Sequence, residues 1–209
     1  MFEKYFLHYI GVFIKHAINV FFDIYLIHSP FKFRGDVDAV NGKVIKTQSI
    51  DYVLLMSTLK FKNISNFQRV IDVGSGKGRC CAYIGKFFPD KEVLGIELNP
   101  LVANFSVEIF KNNFNNVTIV SGDVLACDDC FFIENSLYIL FNPFDSDLFV
   151  EFLRKINKKS TVVYINASEN HLDTLSKNGF IFKKIILNKW YFDIEHKNVV
   201  FIEIDGEIC

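Results

Sequence analysis

Apolar positions along this chain follow two rhythms, and the two alternate. Short, nearly unbroken apolar runs occur at Arg69–Val73, Val93–Glu97, Asn116–Val120, Leu137–Phe141 and Thr161–Ile165. Runs of that length bounded by turn residues predict buried strands. Between them the spacing changes to three and four, which predicts helices over Cys80–Phe88, Leu101–Asn112, Asp145–Ile156 and Asn170–Lys177. In the third of these, Leu148, Phe149, Phe152, Leu153 and Ile156 fall on one face. Pro89-Asp90 stops the first, and Asn99-Pro100 opens the second with proline near its first position. Strands and helices alternating in this way imply parallel pairing with right-handed crossovers. At the end of the chain, Phe180–Leu187 and Asn198–Ile204 read as two strands joined through Asn188 to Lys197, near enough to pair antiparallel.

Upstream of the first strand the pattern is helical. Thr47–Leu59 carries Ile50, Val53, Leu54, Met56 and Leu59 at helical spacing, with Thr47 or Ser49 as cap, and Asn63–Asn66 makes the last turn before the strand. Met1–Ile27 is dense in aromatic and aliphatic residues. Lys4, Lys15 and Asp23 could share the polar side of amphipathic helices whose apolar side carries Phe6, Ile10, Phe13, Ile14 and Phe21. Glu3 and Lys4 at the start, with Lys15, His16, Asn19 and Asp23 later, fit neither a secretory signal nor a span of about 20 uninterrupted apolar residues. The segment reads as a helical extension that packs on the domain, lines a substrate mouth or forms a homodimer. Peripheral membrane contact is a further role open to it. Ser29-Pro30 ends it, and Arg34-Gly35-Asp36 through Asn41-Gly42 is a turn-rich connector. The expected division is therefore residues 1–46 as extension and connector and 47–209 as one domain.

Composition narrows the function. Half of the 209 residues are hydrophobic and 24 are Phe, enough for one well-packed domain. The net charge is -1, and the balance shifts from +4 over residues 1–69 to -5 over the remainder. A global nucleic-acid footprint is missing. Five cysteines read as reduced thiols, with Cys80 and Cys81 as packing residues early in a helix. Cys127-Asp-Asp-Cys130 has no second pair at zinc-site distance, so no metal is expected. The five histidines are scattered and read as surface or packed residues.

The chemistry concentrates at Arg69-Val-Ile-Asp-Val-Gly-Ser-Gly-Lys-Gly-Arg79. Gly74, Gly76 and Gly78 let the backbone take positive φ, so that a ligand can approach their amides and the N-terminus of the next helix. A P-loop is excluded because Gly76-Lys77 is followed by Gly78 rather than Ser or Thr, and Ile71 stands where its first glycine belongs. A dinucleotide fingerprint is excluded by Arg79 where its third glycine belongs. What remains, Asp-x-Gly-x-Gly-x-Gly, resembles the class I S-adenosylmethionine-dependent methyltransferases.

That resemblance implies an α/β fold: a three-layer αβα Rossmann-like sheet, mostly parallel, with an antiparallel C-terminal edge hairpin. It covers about residues 47–205. It implies S-adenosyl-L-methionine as cofactor, S-adenosyl-L-homocysteine as product, and a cytoplasmic enzyme. The turn of Gly74, Ser75, Gly76 and Gly78 would lie against the methionine part, with Asp72 holding its amino group. Glu97, followed by Leu98 in Gly-Ile-Glu-Leu-Asn-Pro, ends the second strand and would bind the ribose hydroxyls. Asp123, beside Val124, would accept from the adenine amine, although a carboxylate there also suits a turn cap. The helix ahead of the first strand would cover the cofactor, which makes Tyr52 a candidate for the site or for the core.

Asn142-Pro143-Phe144-Asp145 looks like the Asn/Asp-Pro-Pro-Phe/Tyr motif of methyltransferases that act on amino nitrogens, with one proline missing. In that motif the amide oxygen and a nearby backbone carbonyl accept from the target amine and aim its lone pair. Asn142, Pro143 and Phe144 are thus the catalytic candidates, with Asn142 also near the cofactor. Lys77 and Arg79 stand at a helix N-terminus, where cations are disfavoured, so either one of them faces an anion on the cofactor or acceptor or both are exposed, solvated side chains. The activity expected is N-methylation of a protein side chain or a small-molecule amine, with nucleic acid a less favoured acceptor. A dinucleotide-dependent oxidoreductase and a non-catalytic cofactor-binding scaffold are the alternatives.

Overall fold

In a computed structural model, residues 2–28, 49–127, 131–156, 158–189 and 194–205 are described. The elements in chain order are α1 (Phe2–Ile27), α2 (Tyr52–Leu59), β1 (Arg69–Val73), α3 (Arg79–Phe87), β2 (Glu92–Glu97), α4 (Pro100–Phe110), β3 (Val117–Ser121), β4 (Ser136–Phe141), α5 (Ser146–Lys155), β5 (Ser160–Ile165), α6 (Glu169–Lys177), β6 (Phe182–Lys189) and β7 (Ile194–Ile204). A 3₁₀ turn at Ile64–Asn66 leads into β1. Most of the connector, Thr47, Cys130 and Cys209 lie outside the described residues.

The seven strands form one sheet in the order β3-β2-β1-β4-β5-β7-β6. The five strands from β3 to β5 pair in parallel, and β7 inserts antiparallel between β5 and the edge strand β6. Strand order reverses beside β1, where the connections leading to β2 and to β4 diverge. In an open α/β sheet, ligands bind at such a point, outside the carboxyl ends of the strands. Register brings the sequence candidates to that edge: Asp72 pairs with Gly95 and Ile139, Glu97 with Ser121, and Leu140 with both Val73 and Tyr164.

Two apolar layers sandwich the sheet. One packs β1, β4 and β5 side chains such as Val70, Leu137 and Val163 against Leu54, Leu55, Cys81 and Ile84 of α2 and α3. The other packs Ile71, Leu140 and Tyr164 against Phe149, Phe152, Leu172 and Leu175 of α5 and α6. The helices start where side chains satisfy their first amides. Asn99 accepts from Leu101 ahead of α4, Asp145 accepts from Asp147 and Leu148 ahead of α5, and Ser168 and His171 form a capping box on α6. Helix α2 begins at Tyr52, later than the periodicity of Thr47–Leu59 suggests: Ser49 to Asp51 lie outside it, and Asp51, extended, is held by Asn19 and Lys15 of α1.

Helix α1 lies on the domain the opposite way round from the expected amphipathic pattern. Its buried face holds Asn19, Asp23, Leu26 and Ile27, whereas Tyr9, Phe13 and Phe21 are 71%, 71% and 63% exposed. Polar contacts explain the inversion. Asn19 accepts from the Tyr52 amide at 3.0 Å and donates to Asp51 at 2.5 Å, and Lys15 pairs with Asp51 at 3.4 Å. Asp23 therefore leaves the solvent face assigned to it and is wholly buried. By length and composition, Tyr9–Ile27 could cross a bilayer, with mean hydropathy 1.6. In the structure, Asn19 and Asp23 of that stretch are bonded to α2 and α3.

Candidate functional site

The turn after β1 has the geometry its glycines permit. Gly74, Gly76 and Gly78 all have positive φ, at 72°, 55° and 85°. A Cβ on Gly74 would stand 2.7 Å from Pro143 Cβ, and one on Gly78 would stand 2.4 Å from the Phe110 ring. Only glycine allows both this backbone and this closeness. The Gly74 and Ser75 amides donate to the Ile96 carbonyl, so the turn is anchored on β2 while Gly78 caps α3. Ser75 Oγ is buried with no hydrogen-bond partner among the described residues.

Two buried carboxylates stand beside this turn. Glu97 accepts from the Gly76 amide at 2.8 Å with one oxygen and from the Asn99 amide at 2.9 Å with the other. Its burial raises the pKa, against which the amides of Asn99, Gly76 and Leu98 act. Asp72 accepts from the Cys81 thiol at 3.4 Å. Burial pushes Asp72 up to about 7; the Cys81 thiol opposes the rise and the Glu97 charge adds to it. A cationic group bound between the two would reverse the cost of ionising both. Each Glu97 oxygen keeps a lone pair, so the carboxylate could also take two hydroxyl donors. Leu98 is half-buried beside it. A buried hydroxyl and two buried carboxylates, one able to meet an ammonium and the other a diol, have the chemistry that the amino acid and ribose of S-adenosylmethionine would require.

Asp123 lies at the carboxyl end of β3, exposed, and accepts from the Leu125 amide at 2.9 Å. It thus serves as the turn cap, with its second oxygen not engaged by that bond. Val124, next to it, is buried.

Asn142, Pro143 and Phe144 leave β4 in a turn that lies directly on the glycine loop, through the approach of Pro143 to Gly74. Asn142 has a left-handed φ of 51°. Behind the turn stands a polar group that the sequence reading missed. Tyr164 Oη lies 3.2 Å from both Asn142 Oδ1 and the Phe144 carbonyl. His171 Nε2 lies 3.0 Å from the same carbonyl and 3.1 Å from Tyr164 Oη. His171, read from sequence as one of several scattered histidines, is buried here. The available signal was the register of β5, which sets Tyr164 opposite Leu140, two positions before Asn142. The capping box then fixes His171 three residues after Ser168.

For Arg79 the anion is a residue of the protein and not of the cofactor or acceptor. Arg79 donates through Nε and Nη2 to Asp23 at 3.2 and 2.9 Å, and through Nη1 to the Ile50 carbonyl at 3.0 Å. Arg79 is buried, so its charge is met by α1 rather than by a ligand. Lys77 Nζ stands 5.7 Å over the Phe105 ring. Tyr52, the other open assignment, belongs to the core: it is fully buried, 4.9 Å from the Phe22 ring and 5.2 Å from Arg79 Cζ. Burial, reinforced by the Asp23 charge, holds its hydroxyl well above the ordinary tyrosine range.

This fold has counterparts among known proteins. The model of a family described as "Putative methyltransferase" matches residues 66–182. A tRNA (guanine-N(7)-)-methyltransferase of Lactobacillus helveticus is 28% identical over 112 residues, which are 53% of this chain and 49% of that protein. The chain thus spans about half the length of this relative. Among solved structures, a mutant of MtNAS in complex with S-adenosylmethionine is similar at a TM-score of 0.57, with 14% identity over 73% of this chain and 61% of that one. Precorrin-6y C5,15-methyltransferase of Geobacter metallireducens is similar at a TM-score of 0.53, with 15% identity over 80% and 93%. The chain belongs to this methyltransferase family, within the class I S-adenosylmethionine-dependent superfamily.

Proposed function

We propose that the protein transfers the methyl group of S-adenosylmethionine to a nitrogen of a protein side chain or a small-molecule amine. In this reading Asp72 holds the cofactor's ammonium, Glu97 its ribose hydroxyls and Asp123 its adenine amine. The turn of Gly74, Ser75, Gly76 and Gly78 lines the methionine part, with Leu98 and Val124 as apolar neighbours. The observation that carries the proposal is the contact of Pro143 with Gly74, which sets the turn carrying Asn142 and the Phe144 carbonyl against the glycine turn. An oxygen there can accept from an acceptor N–H and direct the nitrogen lone pair, and such positioning lowers a transfer barrier by several kcal/mol. The cofactor supplies the activated methyl group as a sulfonium. The protein's own residues bind, orient and exclude water.

The tRNA methyltransferase among the relatives supports a second acceptor class, a guanine in RNA. The net charge of -1 weighs against it, since RNA binding at physiological salt rests on phosphate neutralisation by Lys and Arg. Incubation with methyl-labelled S-adenosylmethionine and three separate pools, protein, small metabolites and tRNA, tests both. Label on protein or metabolite nitrogen supports the first reading. Label on tRNA alone replaces it with the second, and label in no pool contradicts both.

A further inference from the structure

We infer that Tyr164 and His171 are positioning residues for the acceptor side of the site, acting through the side chain of Asn142 and the carbonyl of Phe144. The inference rests on the reading of Asn142 as the group that meets the acceptor nitrogen. It starts from the protons available. The Ser168 amide lies 3.1 Å from His171 Nδ1 and can only donate, so Nδ1 is an acceptor and the ring proton sits on Nε2. Ser168 Oγ accepts from the His171 amide at 3.4 Å and lies 2.6 Å from Nδ1, to which its own proton is directed. The capping box of α6 thereby sets the tautomer.

With its proton on Nε2, His171 donates to the Phe144 carbonyl at 3.0 Å. Tyr164 has one proton, within 3.2 Å of both Asn142 Oδ1 and the Phe144 carbonyl; because His171 already fills one lone pair of that carbonyl, the proton is assigned to Asn142 Oδ1. The two bonds seize the turn on both sides of Pro143. Tyr164 is fully buried and His171 is 6% exposed, so water does not compete for them. One lone pair of Asn142 Oδ1 is taken from behind, which leaves the other for a single acceptor N–H and fixes the direction it faces. Asn142 also holds a left-handed φ of 51°, a conformation that persists when its surroundings constrain it. The chain of contacts from Ser168 through His171 and Tyr164 supplies that constraint. Among the described residues, the hydrogen bonds of the two run to Asn142, Phe144, Ser168 and each other and not to the cofactor turn, so their effect is expected in the transfer step rather than in cofactor affinity.

The test uses the full-length protein, methyl-labelled S-adenosylmethionine and the pool that wild type labels. Tyr164→Phe removes one hydroxyl and keeps the ring. It is expected to lower the transfer rate at saturating cofactor at least tenfold while the cofactor Kd, read by calorimetry, changes less than twofold. In an Asn142→Ala background, the same substitution is expected to change the rate less than twofold. His171→Gln, which keeps an N–H for the Phe144 carbonyl, should retain more activity than His171→Ala. A long-range proton–nitrogen spectrum should show Nδ1 of His171 bare and Nε2 protonated. A full tenfold loss on the Asn142→Ala background, an unchanged rate for Tyr164→Phe, or a proton on Nδ1 overturns the inference while leaving the nitrogen-transfer reading standing. Cofactor binding by wild type without transfer to any pool overturns both together.

Discussion

Arg79, the first residue of the helix that leaves the glycine turn, forms a buried two-pronged ion pair with Asp23 of the N-terminal helix, at 2.9 and 3.2 Å. Their side chains are 5% and 0% exposed. A charge pair this deep acts as a latch. Its net contribution is small because desolvation offsets attraction, but removing one partner strands the other. Asp23→Ala is expected to destabilise the protein by about 3–5 kcal/mol, whereas replacing Asp23 and Arg79 together by Leu and Met should cost far less. Chemical denaturation of wild type and the two variants checks this, and equal losses in the single and double variants would contradict it.

The opposite face of the same helix makes the reverse prediction. Phe13 and Phe21 are large, apolar and mostly exposed. Phe13→Ser and Phe21→Ser should each change stability by no more than about 0.5 kcal/mol, as surface substitutions do. A loss of several kcal/mol would mean that these rings are packed in solution.

The pKa of Asp72, raised by burial to about 7, gives cofactor binding a pH dependence. The native carboxyl keeps its proton where the unfolded chain, at its ordinary 3.8, has lost it. Stability contributed by this group is therefore present at low pH and declines as pH rises from about 4 to about 7. An ammonium ligand needs the ionised form, so affinity for S-adenosylmethionine should rise as pH passes upward through about 7, until the ligand's own amino group begins to lose its proton. Calorimetry between pH 5.5 and 8.5 checks the trend, which Asp72→Asn should flatten.

Gly74 is the point where cofactor turn and acceptor turn meet. Ala there would carry an unfavourable φ of 72° and push its Cβ to 2.7 Å from Pro143. The expected cost is about 1–3 kcal/mol in stability, from backbone strain alone. Methyl transfer should fall further than that loss of folded protein explains, because Pro143 must move away. Thermal melts beside transfer rates separate the two effects.

Much of this was readable before the fold was known, for reasons that differ by residue. Asp72, the three glycines and Glu97 are legible because strand ends and tight turns leave local signatures in residue type and spacing. The alternation of five-residue runs and helical segments specified the parallel sheet, and the closeness of the last two runs specified the antiparallel pair. Asp23 was misplaced because helical periodicity separates polar from apolar positions without saying which side meets the protein. Here polar groups on α2 and α3 outcompeted water for the polar side. Arg79 followed from the same fact, since its anion lies 56 residues away in sequence. Tyr164 and His171 carry no local signature: their bonds to Asn142 and Phe144 exist only once β4 and β5 are in register and α6 has folded back.

The most direct measurement is a calorimetric titration with S-adenosylmethionine, S-adenosylhomocysteine and NAD, on wild type and on the Asp72→Ala and Glu97→Ala variants. Saturable binding of the two sulfur ligands by wild type, lost in both variants and absent for NAD, is the predicted result. Failure of wild type to bind either sulfur ligand, or undiminished binding by the variants, would contradict the cofactor site described here.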